Sequence, residues 1–145
     1  MNPLPPVGAH LVTPRRLYQH HGIYVGDGRV VHYAGFCGGM HRGPVEEVSL
    51  ETFCRGRGYR VKRHRRQAFA GDEIARRARS RIGEDSYDLL RNNCEHFCEW
   101  CAAGRSFSAQ AEAWRAFPLL SLLWACRSLL QRGSTTAGAR LMQAN

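Results

Sequence analysis

Lysine is almost missing from this chain. Lys62 is the single example among 145 residues, so the excess of 21 basic over 12 acidic side chains is an excess of arginine. Also missing is a basic-then-apolar leader. Met1-Asn2-Pro3-Leu4-Pro5-Pro6 reads as a short, turn-prone arm, which predicts a cytoplasmic chain whose six cysteines are thiols rather than bridges. A spanning helix needs roughly 20 apolar residues. The longest apolar stretch, residues 119–130, is shorter and is interrupted by Arg127, which argues against a membrane span. Zinc-finger spacing, an aromatic RNA-binding signature and a helix-turn-helix pattern are absent too, so nucleic acid is not an expected partner despite the formal charge of +9. That charge suits peripheral contact with an anionic phospholipid surface at the inner face of a membrane. It also fits a base composition that favours arginine codons. There is no internal repeat, and 145 residues with 43% hydrophobic content predict one domain.

What is present begins with strands. Residues 22–25 and 29–33 are β-prone runs around Gly26-Asp27-Gly28, a strong hairpin signal. Residues 35–44 are glycine-rich and read as a loop. Residues 45–48 suggest a short strand, residues 50–53 a helical turn capped by Ser49, and residues 55–66 a basic, half-exposed strand. A helix is predicted over residues 72–82, capped by Asp72, with Ile74, Ala75, Ala78 and Ile82 on one face and Gly83 as its stop. Strands first and helices after predict an α+β fold with an antiparallel sheet packed against helices.

The chemistry gathers around Asn92-Asn93-Cys94-Glu95-His96-Phe97. Asn93 is a good N-cap, Phe97, Cys98 and Cys101 follow at helical spacing, and Gly104 reads as the residue past the helix end. Cys94 therefore falls in the first turn, where free backbone N–H groups and the helix dipole favour a thiolate. A thiol nucleophile needs a base. The hairpin offers a parity test among the histidines. A three-residue loop sets Gly22 opposite His32 and His20 diagonally beside it on the same face, with His21 pointing away; a two-residue loop separates His20 from His32. His20 and His32 then form a base and its orienter. His96 is expected to be structural or exposed, His41 and His64 solvated, and Cys98 and Cys101 core residues. His10 stays open.

The blocks from His20 through His32 and from Asn93 through Phe97 together resemble the lecithin:retinol acyltransferase family, over about residues 8–110. That family includes the HRAS-like suppressor phospholipases and acyltransferases and small members of bacterial type. The resemblance implies a circularly permuted, NlpC-type papain-like fold, with Cys94 as nucleophile, His20 as general base and His32 as the orienting third residue. It implies transfer of an acyl group from a phospholipid to the cysteine and onward to an acceptor that the sequence does not identify. The chain differs from animal members in having His21 where they often carry an aromatic residue, and in its shorter, interrupted C-terminal apolar run.

The resulting expectation is an arm over residues 1–7, a catalytic domain over 8–110, an apolar helical segment over 111–130 and a tail over 131–145. No cofactor and no metal are expected. Rival readings are a cysteine amidase or peptidase with the same triad, and a non-catalytic lipid- or protein-binding module. Cys94, Cys98 and Cys101 also copy a three-cysteine iron–sulfur spacing, and with a histidine they would number four zinc ligands. Three ligands from one helix face rarely wrap a tetrahedral ion.

Overall fold

The alternating apolar residues of the first third of the chain become an antiparallel sheet. The computed structural model describes residues 3–36, 42–113 and 115–118, and Met1–Ala109 form one unit. Its strands are β1 (His10–Pro14), β2 (Gln19–Gly26), β3 (Arg29–Phe36), β4 (Arg42–Ser49) and β5 (Arg60–Lys62), in the order β4-β3-β2-β1-β5. Helices α1 (Leu50–Cys54), α2 (Gly71–Ser80) and α3 (Cys94–Ala103) accompany them. The α+β expectation with an antiparallel sheet holds.

The sheet buries both faces because residues of opposite parity are apolar. Ile23, Val25, Val31 and Tyr33 pack with Val45 beneath Ile74, Ala75 and Ala78 of α2 and Cys94, Phe97, Cys98 and Cys101 of α3. Tyr24, Val30 and Leu11 face the other way and pack against Phe53 and Cys54 of α1. Full burial of side chains such as Phe53, Leu11 and Ile23 contributes about 1.5–3 kcal/mol each. Gly22 makes the α1 side possible: a Cβ there would meet Val30 Cγ1 at 2.6 Å and the Phe53 ring at 2.7 Å.

The β2–β3 hairpin reaches the expected parity by an unexpected route. Gly22 stands opposite His32, but the loop is the two-residue Asp27-Gly28, closed by Gly26 opposite Arg29. Both loop residues have positive φ, 50° and 67°, as a tight hairpin turn matched to strand twist requires. Register then slips between Tyr24 and Gly26. The extra residue, Val25, is a β-bulge that restores the parity a two-residue loop alone would have broken.

Other expectations shift. Ser49 caps α1 by accepting the Thr52 N–H at 3.1 Å. The strand from residue 45 begins earlier, at Arg42, and the basic strand shrinks to three residues against β1. Helix α2 starts one residue before Asp72, which does not cap it, and Ile82 is 47% exposed beyond its end. Of the helical segment expected over 111–130, residues 111–113 and 115–118 are helical, whereas residues 119–130 and the tail expected over 131–145 lie outside the described residues. Among the described residues no helix is long and apolar enough to cross a membrane.

Candidate active site

Strand β2 carries two adjacent histidines, and the pleat sends them to opposite faces. His20 Nε2 lies 2.9 Å from His32 Nδ1, both rings buried against Phe53. His32 stands opposite Glu46 across the β3–β4 ladder, and its Nε2 lies 3.3 Å from Glu46 Oε1. A carboxylate only accepts, so His32 carries its proton on Nε2 and presents Nδ1 as an acceptor. His20 must then donate from Nε2, which leaves a lone pair on its Nδ1.

That Nδ1 is buried without a hydrogen-bond partner among the described residues, as are Thr13 Oγ1, directly opposite His20 on β1, and Arg15 Nη1 one residue beyond the strand. Buried polar atoms are normally satisfied, and three without a protein partner gather in this corner. A small hollow of about 40 Å³ opens there, lined by Arg15, Tyr18, His20, His32, Glu46 and Arg55. Burial, and then the neighbouring His32, hold His20 well below the ordinary imidazole value of 6.5. Burial likewise lowers His32 to about 4.

Cys94 opens α3. Asn93 caps the helix through Oδ1, which accepts the Glu95 and His96 N–H groups at 3.0 Å each, and His96 Nδ1 accepts the Asn93 N–H. His96 is thus a buried capping residue. Gly104 ends the helix at φ 69°. The sulfur belongs to the core on the α3 side, and its link to β2 is the peptide N–H of His21, next to His20. Among the described residues no hydrogen bond joins Cys94 to the His20 ring. Burial raises the thiol to about 11 despite N–H donors from His21, Glu95 and Cys94 itself. The expected thiolate bias of the helix N-terminus is therefore overridden by desolvation. The resting state is a neutral thiol on the α3 side of the sheet and a neutral imidazole pair on the α1 side.

On the other face His21 Nδ1 lies 2.8 Å from His10 Nε2, His10 Nδ1 lies 3.0 Å from His64 Nε2, and His64 Nδ1 lies 3.4 Å from Glu99 Oε2. The expectation that His64 is solvated is wrong: its side chain is 8% exposed, because α3 lies across it and supplies Glu99. His41 lies outside the described residues. Lys62 donates to Glu95 at 3.0 Å and Glu99 at 2.9 Å, and the Ser108 hydroxyl donates to Glu95. Cys98 and Cys101 are buried core thiols pushed upward by desolvation, Cys101 to about 12. Among the described residues the cysteines form no cluster with metal-ligand geometry. Sequence reasoning missed Glu46 and the His10–His64 pairing. Glu46 was legible in principle, as the residue that a β3–β4 hairpin sets opposite His32.

The family model described as lecithin retinol acyltransferase matches residues 3–107. The chain is 31% identical to human (Homo sapiens) lecithin retinol acyltransferase over 132 residues, covering 72% of this chain and 57% of that protein. It is also 31% identical over 124 residues to human phospholipase A and acyltransferase 2, covering 74% of this chain and 76% of that protein. Similarity to rat (Rattus norvegicus) phospholipase A and acyltransferase 1 is 30% over 112 residues, 67% of each chain. The matched region is thus little more than half the length of the retinol acyltransferases.

Proposed function

The chain belongs to the lecithin retinol acyltransferase family, and on that premise we propose that it is a thiol acyltransferase or phospholipase-type hydrolase acting through Cys94, His20 and His32. The observation that carries this reading is the His20–His32–Glu46 chain, which fixes the His20 tautomer and leaves a buried, unpartnered Nδ1 to act as base. Helix order supports the permuted papain-like reading, since the histidine strands precede the cysteine helix. Residues 8–110 are the catalytic domain in this account, and residues 1–7 an arm.

His20 Nδ1 takes the thiol proton as the sulfur attacks the carbonyl carbon of a lipid ester. The proton need not be stored as an ion pair, because both groups rest neutral. The imidazolium formed is held by His32, whose own Nε2–H points to the Glu46 carboxylate, and it returns its proton to the departing alkoxide. A thioester on Cys94 remains. Water, an alcohol or an amine, with its proton taken by His20, then attacks the thioester, and the C–S bond breaks to release a thiolate that takes that proton back. The peptide N–H groups of Cys94 and His21, which already face the sulfur, are the donors nearest the developing oxyanion. Arg15 and Arg55 make the hollow electropositive, which suits a phospholipid donor, and the net charge of +9 suits peripheral contact with an anionic bilayer.

Incubation with phosphatidylcholine labelled in its acyl chain tests the reading. A hydroxylamine-sensitive label on the wild-type protein, absent from Cys94→Ala, is the expected result. Labelling by a peptide-like electrophilic substrate but never by lipid points instead to an amidase. Lipid binding without any adduct, unchanged by the substitution, points to a non-catalytic module.

A further inference from the structure

The second histidine chain has no part in that mechanism, yet it brings metal-binding groups together from three distant segments. His10 comes from β1, His64 from the segment after β5, and Glu99 from the middle of α3. One ring nitrogen from each histidine and one Glu99 oxygen lie within 4.8 Å of one another. We propose that His10, His64 and Glu99 form a site for a divalent transition metal of the zinc class, binding through His10 Nδ1, His64 Nε2 and a Glu99 carboxylate oxygen. This does not depend on the acyl-transfer reading.

The nitrogens facing each other, 3.0 Å apart, share one proton. Tetrahedral zinc at about 2.0–2.1 Å from each holds such a pair about 3.3 Å apart, so the rings need open by only a few tenths of an ångström. The outer nitrogen of His10 is already anchored, since His10 Nε2 is 2.8 Å from His21 Nδ1. A hydrogen bond on the far nitrogen is what fixes a ligating imidazole's tautomer and orientation. The protons also balance. Without metal, Glu99 fixes the His64 proton on Nδ1, so His10 donates from Nδ1 and accepts from His21 on Nε2. When metal binds, the His10 proton moves to Nε2 and that of His21 to Nε2, and two lone pairs face the ion with no proton lost.

Recruiting Glu99 does not strand Lys62, which keeps Glu95 at 3.0 Å. A basin of about 320 Å³ beside His64 and Glu99 gives entry and room for a water in the remaining position. Arg65, Arg66 and Arg105 line it, so a purely electrostatic hard cation is disfavoured. The imidazole pair selects zinc, cobalt, nickel or copper over calcium and magnesium.

The test uses the untagged full chain, stripped with chelator and titrated with zinc sulfate and with cobalt chloride. The proposal expects one zinc per chain with a Kd in the micromolar range, a higher melting temperature with zinc, and a cobalt spectrum free of thiolate charge transfer. His64→Ala and Glu99→Gln, each with an unchanged circular dichroism spectrum, should weaken zinc binding more than tenfold, whereas Cys101→Ala should not. Absence of binding at about 100 µM zinc overturns the proposal. So does a thiolate charge-transfer band, which the wild-type protein alone can reveal, or zinc retained in full by folded His64→Ala.

Discussion

Strand β2 places two histidines side by side in sequence and gives them opposite lives. On the α1 face, His20 meets His32 and then Glu46, and the chain begins at a ring nitrogen with no partner. On the α3 face, His21 meets His10, His64 and then Glu99, and the inner ring contacts are mutual. Both chains end on a carboxylate, which fixes the direction of every proton along them. The difference lies at the start. A chain with an unused basic nitrogen can take a proton, whereas one whose nitrogens are committed to each other holds segments together or, with its shared proton moved, holds a metal ion.

The comparison can be broken first at His32. Replacing it with Ala frees the His20 tautomer and should lower the rate of Cys94 acylation roughly a hundredfold, by loss of the orienting acceptor. A loss under threefold in a folded variant would mean that His32 is only packing. Next comes acid. His20 and His32 titrate below 6.5 in the folded protein, His32 near 4, so the unfolded chain takes up protons first as pH falls. Stability is complete above 6.5 and is lost progressively down to about 4, by a few kcal/mol at about 1.4 kcal/mol per unit. Urea denaturation across that range checks the slope, and a flat profile contradicts the buried neutral pair.

The third break falls on the other chain. His10→Ala should cost about 2–3 kcal/mol of stability, because it leaves buried ring nitrogens of His21 and His64 unpaired, while acylation per folded molecule stays within a few-fold of wild type. The smallest effect belongs to Glu46→Gln. Its side chain is 45% exposed, so the loss should be about three- to tenfold in rate with little change in stability. Steady-state kinetics and denaturation on the same preparation separate the last two cases.

Much of this was legible in the sequence where the rules are local. Asn93, the apolar spacing behind Cys94 and Gly104 define α3 without any tertiary information. The parity of His20 and His32 came out as expected, although Val25, as a bulge, did what a longer loop was expected to do. Helix α2 differs by one or two residues at each end, because Ala70 rather than Asp72 stands at its N-cap and Ile82, beyond its end, is half-exposed. Basic alternation from Arg55 onward looked like a full strand, but only three residues find the edge of β1. His64 was misjudged for a different reason. Its burial depends on α3 crossing over a distant segment, and no local pattern encodes that crossing. Glu46 and Glu99 show the same limit, since each acquires meaning only through a partner strand or helix.

The central claim is that the base is His20 and not its neighbour, although it is His21 that shares the face of the cysteine helix. Intact-protein mass spectrometry of Cys94 acylation by phosphatidylcholine vesicles, run on His20→Ala and His21→Gln side by side, tests it directly. The account predicts that His20→Ala loses at least about a hundredfold in acylation rate, while His21→Gln stays within tenfold of wild type. Rapid acylation in His20→Ala, with collapse in a folded His21→Gln, would contradict it and move the catalytic base to the other face of the sheet.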